Sequence, residues 1–88
     1  MTSQFYLYSD PDRIKAMVNA LAGMTERDRP FTRLVFSAEY KEARTWLQTQ
    51  FEHVGLECQI DAGGNLIGTR KTANQAEPPQ KLIIGSHI

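Results

Sequence analysis

The chain has 88 residues, and its ten Lys and Arg balance its ten Asp and Glu, so the formal net charge is zero. A chain of this length holds at most one small domain and, by itself, no deep cleft between two domains. The hydrophobic content of 41% and the charged content of 23% are typical of a globular protein. A neutral chain with a pI near 6.7 gives no reason to expect nucleic acid or a membrane as a partner.

Three sequence features indicate a cytoplasmic, reduced protein. Cys58 is the one cysteine, so no internal disulfide can form. The first residues lack the basic start and the apolar stretch of a signal peptide. Apolar runs such as Leu82 to Ile84 are far shorter than the roughly 20 residues that a membrane-spanning helix needs.

The first predicted helix covers residues 10–22. Asp10 can cap it by accepting from free amides of the first turn, and Pro11 suits the next position. Gly23 is expected to stop it. The apolar positions follow the helical spacing, at Ile14, Met17, Val18 and Leu21.

A loop rich in charge, residues 24–36, precedes the second predicted helix at 38–54. Ser37 is its expected N-cap, Glu39 suits the helix dipole, and Gly55 is its expected stop. Its apolar stripe comprises Tyr40, Ala43, Leu47, Phe51 and Val54, widened by Trp46.

From Leu56 the apolar period changes to two, which predicts a strand over Leu56, Cys58 and Ile60. A turn at 61–65 and a second strand at 65–70 complete a hairpin. Residues 71–80 have the composition of a loop. Residues 81–85 are expected to form a short strand buried on both faces, as in the interior of a parallel sheet. This order of elements indicates the front end of an α/β layered domain.

Several candidate sites have a simpler structural interpretation. The glycines of 61–68 have neither phosphate-loop spacing nor a following helix, which favours a β-turn. Cys58 lies on the apolar face of its strand, which favours core packing over nucleophilic catalysis. His53, in the last helical turn, is expected to be solvated rather than a ligand.

Gly85, Ser86 and His87 form the sharpest functional motif. Catalytic groups and ligands collect just beyond the carboxyl ends of strands in open α/β sheets. His87 would follow a buried strand directly, and imidazole nitrogen suits zinc and related metals. The competing interpretation is an incidental surface histidine.

Five motifs in this order resemble one protein family. They are residues 32–37, 43–47, 55–56, 61–68 and 85–87, and the resemblance covers residues 10–88. The chain resembles the N-terminal part of the M20-type metal-dependent amidohydrolases, in the subgroup of N-carbamoyl-L-amino acid hydrolases, allantoate amidohydrolases and β-ureidopropionases.

The resemblance implies a two-domain metallohydrolase with two divalent metal ions of the zinc or manganese type, acting on C–N bonds of linear amides and ureido compounds. His87 matches one metal ligand of the family, and Asn65 with its glycines matches a hairpin of structural role. The other ligands, the general base and the lid domain that forms the homodimer lie beyond the family segment matched here.

Three interpretations remain open. The chain is a truncated, inactive fragment of the catalytic domain; or a small non-catalytic module that binds a partner or modulates a dimer; or an unrelated α/β domain. One histidine cannot hold catalytic zinc, for which three protein ligands are usual. We therefore expect no hydrolase activity and no stably bound metal in the 88 residues alone, and exposed apolar surface with a marginal or molten fold.

Overall fold

The structure is a computed structural model that describes residues 9–70 and 81–88. Within them the elements are, in chain order, helices α1 (Pro11–Ala22) and α2 (Ala38–His53) and strands β1 (Glu57–Ile60) and β2 (Leu66–Thr69). The fold is mixed α and β, as predicted. No helix in this part of the chain has the length and apolar character needed to cross a membrane.

Helix α1 begins as the sequence predicts. The Asp10 carboxylate accepts from the backbone amides of Asp12 at 3.1 Å and Arg13 at 3.2 Å. Gly23 follows the last helical residue, but its φ of −76° is right-handed. The helix thus ends without the left-handed glycine that closes many helices. The Gly23 amide instead donates to the carbonyls of Asn19 and Ala20, and the Met24 amide donates to that of Leu21.

Helix α2 has well-formed caps at both ends. The Ser37 hydroxyl accepts from the Tyr40 amide at 3.1 Å. At the other end Gly55 has a φ of +86°. Its amide donates to the Glu52 carbonyl at 3.0 Å, and the Leu56 amide donates to the Phe51 carbonyl at 3.0 Å. This pair of bonds is the Schellman motif, so the predicted glycine stop is confirmed, with the helix one residue shorter than expected.

The two strands form the predicted antiparallel hairpin, with Glu57 opposite Thr69 and Ile60 opposite Leu66. Helix α2 packs across it. At Gly68 a Cβ atom would lie 2.7 Å from the Phe51 ring, so glycine is what allows the helix to approach the strand this closely. The hairpin and α2 therefore form one packed unit, which we call the α2–hairpin unit (residues 37–69).

The core of the described residues is very small. Ala43, on α2, is their one fully buried hydrophobic residue. On α1 the stripe positions Ile14 and Val18 are 51% and 59% exposed. The expectation that apolar surface remains exposed is confirmed.

The predicted buried strand at residues 81–85 is wrong. The described residues hold one sheet, which has two strands, and residues 81–88 contain no strand. Leu82, Ile83 and Ile84 are 88%, 87% and 86% exposed. A strand is defined by hydrogen bonds to a neighbouring strand, and this apolar segment has no such neighbour among the described residues. The predicted loop at 71–80 lies outside the described residues.

Candidate functional site

His87, the predicted metal ligand, is exposed. The Ser86 hydroxyl donates to the His87 backbone carbonyl at 3.4 Å, so this hydrogen bond does not involve the imidazole ring. His87 and Ile88 line a shallow depression beside the end of α1, together with Leu21, Phe31 and Arg33. The chain thus presents this histidine to solvent at one side of the first helix.

The described residues do not by themselves form a centre for two metal ions. No group of three or more His, Cys, Asp and Glu side chains in residues 9–70 and 81–88 could hold a metal. His53 is exposed in the last turn of α2, as expected of a solvated histidine. His87 therefore offers one nitrogen ligand, and a catalytic zinc usually takes three from the protein.

Arg33 stands beside His87 and has a structural task that sequence reasoning missed. Its Nη1 donates to the carbonyls of Leu21 at 2.9 Å and Met24 at 2.6 Å. Leu21 is in the last turn of α1, which contains no basic residue, and Met24 follows just after the helix. The guanidinium therefore supplies the positive charge and the donors that a helix C-terminus favours.

The Arg33 Nε is buried and has no hydrogen-bond partner in the described part of the chain. In the sequence Arg33 is one of three arginines in a charged loop, with Arg27 and Arg29. Nothing in the spacing distinguishes it from the other two, because its partners Met24 and Leu21 lie nine and twelve residues earlier in the chain.

Thr25 stabilises the loop that positions Arg33 against the end of α1. Its hydroxyl accepts from the Thr32 amide at 2.7 Å and lies within donor distance of the carbonyls of Thr32 at 2.8 Å and Arg29 at 3.0 Å. The Glu26 amide also donates to the Thr32 carbonyl at 2.8 Å. These bonds hold the two ends of the loop together at Thr32, next to Arg33, which caps α1.

The turn at 61–65 is organised by one carboxylate. Asp61 Oδ1 accepts from the amides of Gly63 and Asn65, both at 2.9 Å, and its Oδ2 accepts from the Asn65 side chain at 3.0 Å. These bonds, led by the one from the Asn65 side chain, lower the pKa of Asp61 from its ordinary value of 3.8. The segment is a turn followed by a strand, as predicted, and not a phosphate loop.

Gly64 joins this turn to α2. Its φ is +85° and it is buried. The Tyr40 hydroxyl donates to its carbonyl at 2.6 Å, and Arg44 Nη1 lies 3.4 Å from the same oxygen. The Arg44 guanidinium also lies 5.4 Å from the Tyr40 ring centroid, within cation–π distance. A glycine that the sequence assigns to a turn is thereby also an anchor for the helix.

Cys58 is half-buried against α2, as expected from its place on the apolar face of the strand. Its Sγ lies 3.9 Å from the carbonyls of Gln48 and Leu56. Desolvation, and then the Glu52 carboxylate, raise the pKa of the thiol above its ordinary value. A raised pKa keeps the thiol protonated at neutral pH, which is the opposite of what a nucleophilic cysteine requires.

Comparison with known proteins shows sequence similarity over part of this chain. No family model matches it, and no solved structure matches it. The allantoate amidohydrolase of Bacillus subtilis (strain 168) is 31% identical to it over 61 residues, which is 69% of this chain. The match covers 14% of that relative's length. The similarity supports a relationship with an amidohydrolase and therefore with a hydrolase family.

Proposed function

We propose that these 88 residues contribute the first part of the catalytic domain of an M20-type amidohydrolase. The proposed reaction is metal-dependent hydrolysis of a C–N bond in a linear amide or ureido compound, of the N-carbamoyl amino acid or allantoate type. The observation that carries the proposal is the 31% identity to the allantoate amidohydrolase over 61 residues. The order of the five sequence motifs supports the M20 subgroup.

The role we assign to His87 is that of one metal ligand among several. Its exposure is compatible with this role, because an imidazole open to solvent can be joined by ligands from other segments. The metals would act as Lewis acids and lower the pKa of a bound water. Within the chain itself, Arg33 and the loop around Thr25 hold the end of α1 beside the histidine.

The distribution of apolar surface also supports a place within a larger domain. Val18 on α1 and Ile83 in the last segment are 59% and 87% exposed. Surfaces of this kind on a globular protein commonly mark sites where other protein surface packs. In the proposed enzyme the remaining catalytic domain would cover them.

The first experiment measures the chain by itself. The purified 88 residues are incubated with zinc or manganese and with allantoate or an N-carbamoyl amino acid, and ammonia and amino acid release are followed. We expect no turnover above the metal-containing blank and no stoichiometric metal after dialysis, because one histidine is too few ligands. Turnover, or one retained metal ion per chain, would contradict the proposed need for further ligands.

The second experiment asks whether the chain works inside an enzyme. Residues 10–88 replace the corresponding segment of the B. subtilis allantoate amidohydrolase, and the chimera is assayed on allantoate. We expect activity, and a loss of at least about 100-fold in the His87→Ala chimera, since even indirect disturbance of a metal ligand costs 10–100-fold. His53→Ala is the matched control and should retain activity.

A folded chimera that binds no metal and hydrolyses nothing would overturn the proposal, and would favour the non-catalytic module instead. Circular dichroism and gel filtration of the chimera establish that it is folded before the assay is interpreted. Equal activity of the His87→Ala and parent chimeras would contradict the ligand role of His87 but not the proposed place of the chain in the enzyme.

A further inference from the structure

Residues 87 and 88 differ in their surroundings from the apolar residues earlier in the segment 81–88. Leu82, Ile83 and Ile84 are 88%, 87% and 86% exposed. Ile88 is 39% exposed, so more than half of its surface is covered. His87 and Ile88 are also the residues of this segment that line the depression beside the end of α1. The segment therefore reaches the first helix at Ile88, directly after His87.

Arg33 joins the two elements that form this depression. Leu21 contributes to it from the last turn of α1, and Phe31 and Arg33 contribute from the loop that follows. We call these three residues the wall. Arg33 Nη1 donates to the carbonyls of Leu21 and Met24, and its Nε is buried. The guanidinium is thus enclosed by protein and bonded to the helix end, which makes it a fixed part of the wall rather than a mobile surface cation.

Phe31 depends on its neighbours for its place in the wall. Its backbone has a φ of +57°, which is uncommon for a residue other than glycine, and its side chain is 89% exposed. A strained backbone of this kind persists where the surrounding structure fixes it. Thr25 supplies bonds to Arg29 and Thr32 on either side of Phe31, and Arg33 ties the end of the same loop to α1. Loss of the Arg33 contacts should therefore disturb the wall as a whole.

We infer that Arg33 is a positioning residue for His87, because it builds the wall that holds Ile88 and thereby restricts the histidine next to it. The Cα atoms of consecutive residues are about 3.8 Å apart, so an anchor at Ile88 leaves His87 little freedom to move away. The positioning is a property of the chain itself. Its consequence for metal binding rests on the proposed function.

The first test is an NMR comparison of the 88-residue chain with its Arg33→Ala variant. In the parent chain we expect nuclear Overhauser contacts between the Ile88 methyl groups and the side chains of the wall. In the variant these contacts should be lost, and the backbone amides of residues 87 and 88 should become as mobile as those of residues 82–84. The ring signals of His87 should change while those of His53, on α2, stay the same.

Two further variants separate positioning from a general effect on the fold. Arg29→Ala removes an exposed arginine of the same loop, whose contact with Glu26 is 3.9 Å long, and should leave the Ile88 contacts unchanged. Ile88→Ala removes the anchor without touching the wall. It should mobilise His87 while hydrogen exchange at the end of α1 stays as in the parent chain.

The second test measures zinc affinity in the chimera with the B. subtilis allantoate amidohydrolase, by competition with a chromophoric chelator. Arg33→Ala should weaken zinc binding about tenfold, since loss of groups that orient a metal ligand costs about 10–100-fold. Arg33→Lys keeps the charge but not both carbonyl contacts, and should fall between the parent and Arg33→Ala. Arg29→Ala should bind zinc as the parent chimera does.

The outcomes distinguish this inference from the proposed function. A parent chain without contacts between Ile88 and the wall, or an Arg33→Ala variant that keeps them, overturns the inference. Equal effects of Arg33→Ala and Arg29→Ala, or unchanged zinc affinity in an Arg33→Ala chimera that binds zinc, also overturn it. A parent chimera that binds no zinc contradicts the proposed function instead, and the NMR comparison in the chain alone then decides whether Arg33 positions His87.

Discussion

The α2–hairpin unit and helix α1 both carry an apolar stripe, yet they are held in different ways. In the unit, the stripe of α2 meets the hairpin, and Tyr40 and Gly64 add a hydrogen bond of 2.6 Å between helix and turn. On α1, Val18 remains 59% exposed, and the described polar link to later residues comes from Arg33 at the end of the helix. An amphipathic pattern thus specifies a helix but not a packed one.

This contrast has an energetic reason. Burying apolar surface contributes about 25 cal/mol per Å², and this contribution arises only where a second surface is present. The hairpin follows α2 after three residues, so the loop that must be closed is short. Helix α1 precedes a long loop and has no comparable neighbour within residues 9–70 and 81–88. Substitutions should therefore affect the unit more than α1.

The largest expected effect is at Gly64, within the unit. Gly64→Ala places a Cβ at a φ of +85° and 2.9 Å from the Phe36 ring. We expect a loss of about 2 kcal/mol in the free energy of unfolding, from backbone strain and crowding. Urea titration followed by the fluorescence of Trp46, the one tryptophan, measures the unit directly.

Gly23→Ala is the matched control for this substitution. Gly23 has a right-handed φ of −76°, and the nearest atom to a new Cβ lies at 3.5 Å. We expect a change within about 0.5 kcal/mol. An equal cost at the two glycines would break the proposed difference between the unit and α1.

The next effect concerns the link between Tyr40 and the turn. Tyr40→Phe removes the 2.6 Å bond and leaves the Gly64 carbonyl with Arg44 Nη1 at 3.4 Å. We expect a cost of about 1 kcal/mol, as for a typical hydrogen bond, in the same urea titration. Thr49→Val also removes a hydroxyl from α2, but an exposed one, and should cost clearly less. Equal costs would show that the hydrogen bond between Tyr40 and Gly64 stabilises the chain no more than an exposed hydroxyl does.

A smaller effect is expected at the end of α1. Arg33→Lys keeps the charge but loses the two-carbonyl contact with Leu21 and Met24. Amide hydrogen exchange in the last turn of α1 should become about two- to fivefold faster, which corresponds to about 0.5–1 kcal/mol. Arg29→Lys is the control, because its exposed contact with Glu26 at 3.9 Å should matter little. Unchanged exchange in Arg33→Lys would refute the cap.

The smallest effect is the pH dependence of the 61–65 turn. Because the pKa of Asp61 is lowered in the folded chain, its contribution to stability is fully present above the unfolded value, near 3.8. The contribution is lost as the pH falls through the lower, folded pKa. Asp61→Asn should therefore be less stable than the parent chain at neutral pH and converge with it in acid, in Trp46-monitored urea titrations. A gap that stays constant with pH would contradict this assignment.

Much of the fold could be predicted because its determinants are close together in the sequence. Asp10 caps α1 through amides two and three residues on, and Ser37 caps α2 in the same way. The Asp61 turn closes within five residues. Cys58 has the half-buried place that its alternating pattern indicates. Interactions of this range can be recognised from residue types and spacing.

For the candidate site, sequence similarity contributed more than the local pattern. His87 was predicted as a metal ligand from its place after an expected strand and from a family resemblance, and its role as a ligand stays a prediction. Arg33 was not identified, because its partners Leu21 and Met24 are brought to it by the path of a loop. Phe36, at the end of the charged loop, has a left-handed backbone and places its ring against Gly64, a contact between segments that are distant in the sequence.

The sequence by itself determined two capped helices and a hairpin, since their hydrogen bonds join residues that are near neighbours in the chain. Only the tertiary structure decided that residues 81–85 are exposed rather than a buried strand. A helix satisfies its own backbone, whereas a strand receives its hydrogen bonds and its apolar cover from other segments. The described residues therefore have well-defined local structure, while Leu82, Ile83 and Ile84 keep their apolar side chains exposed.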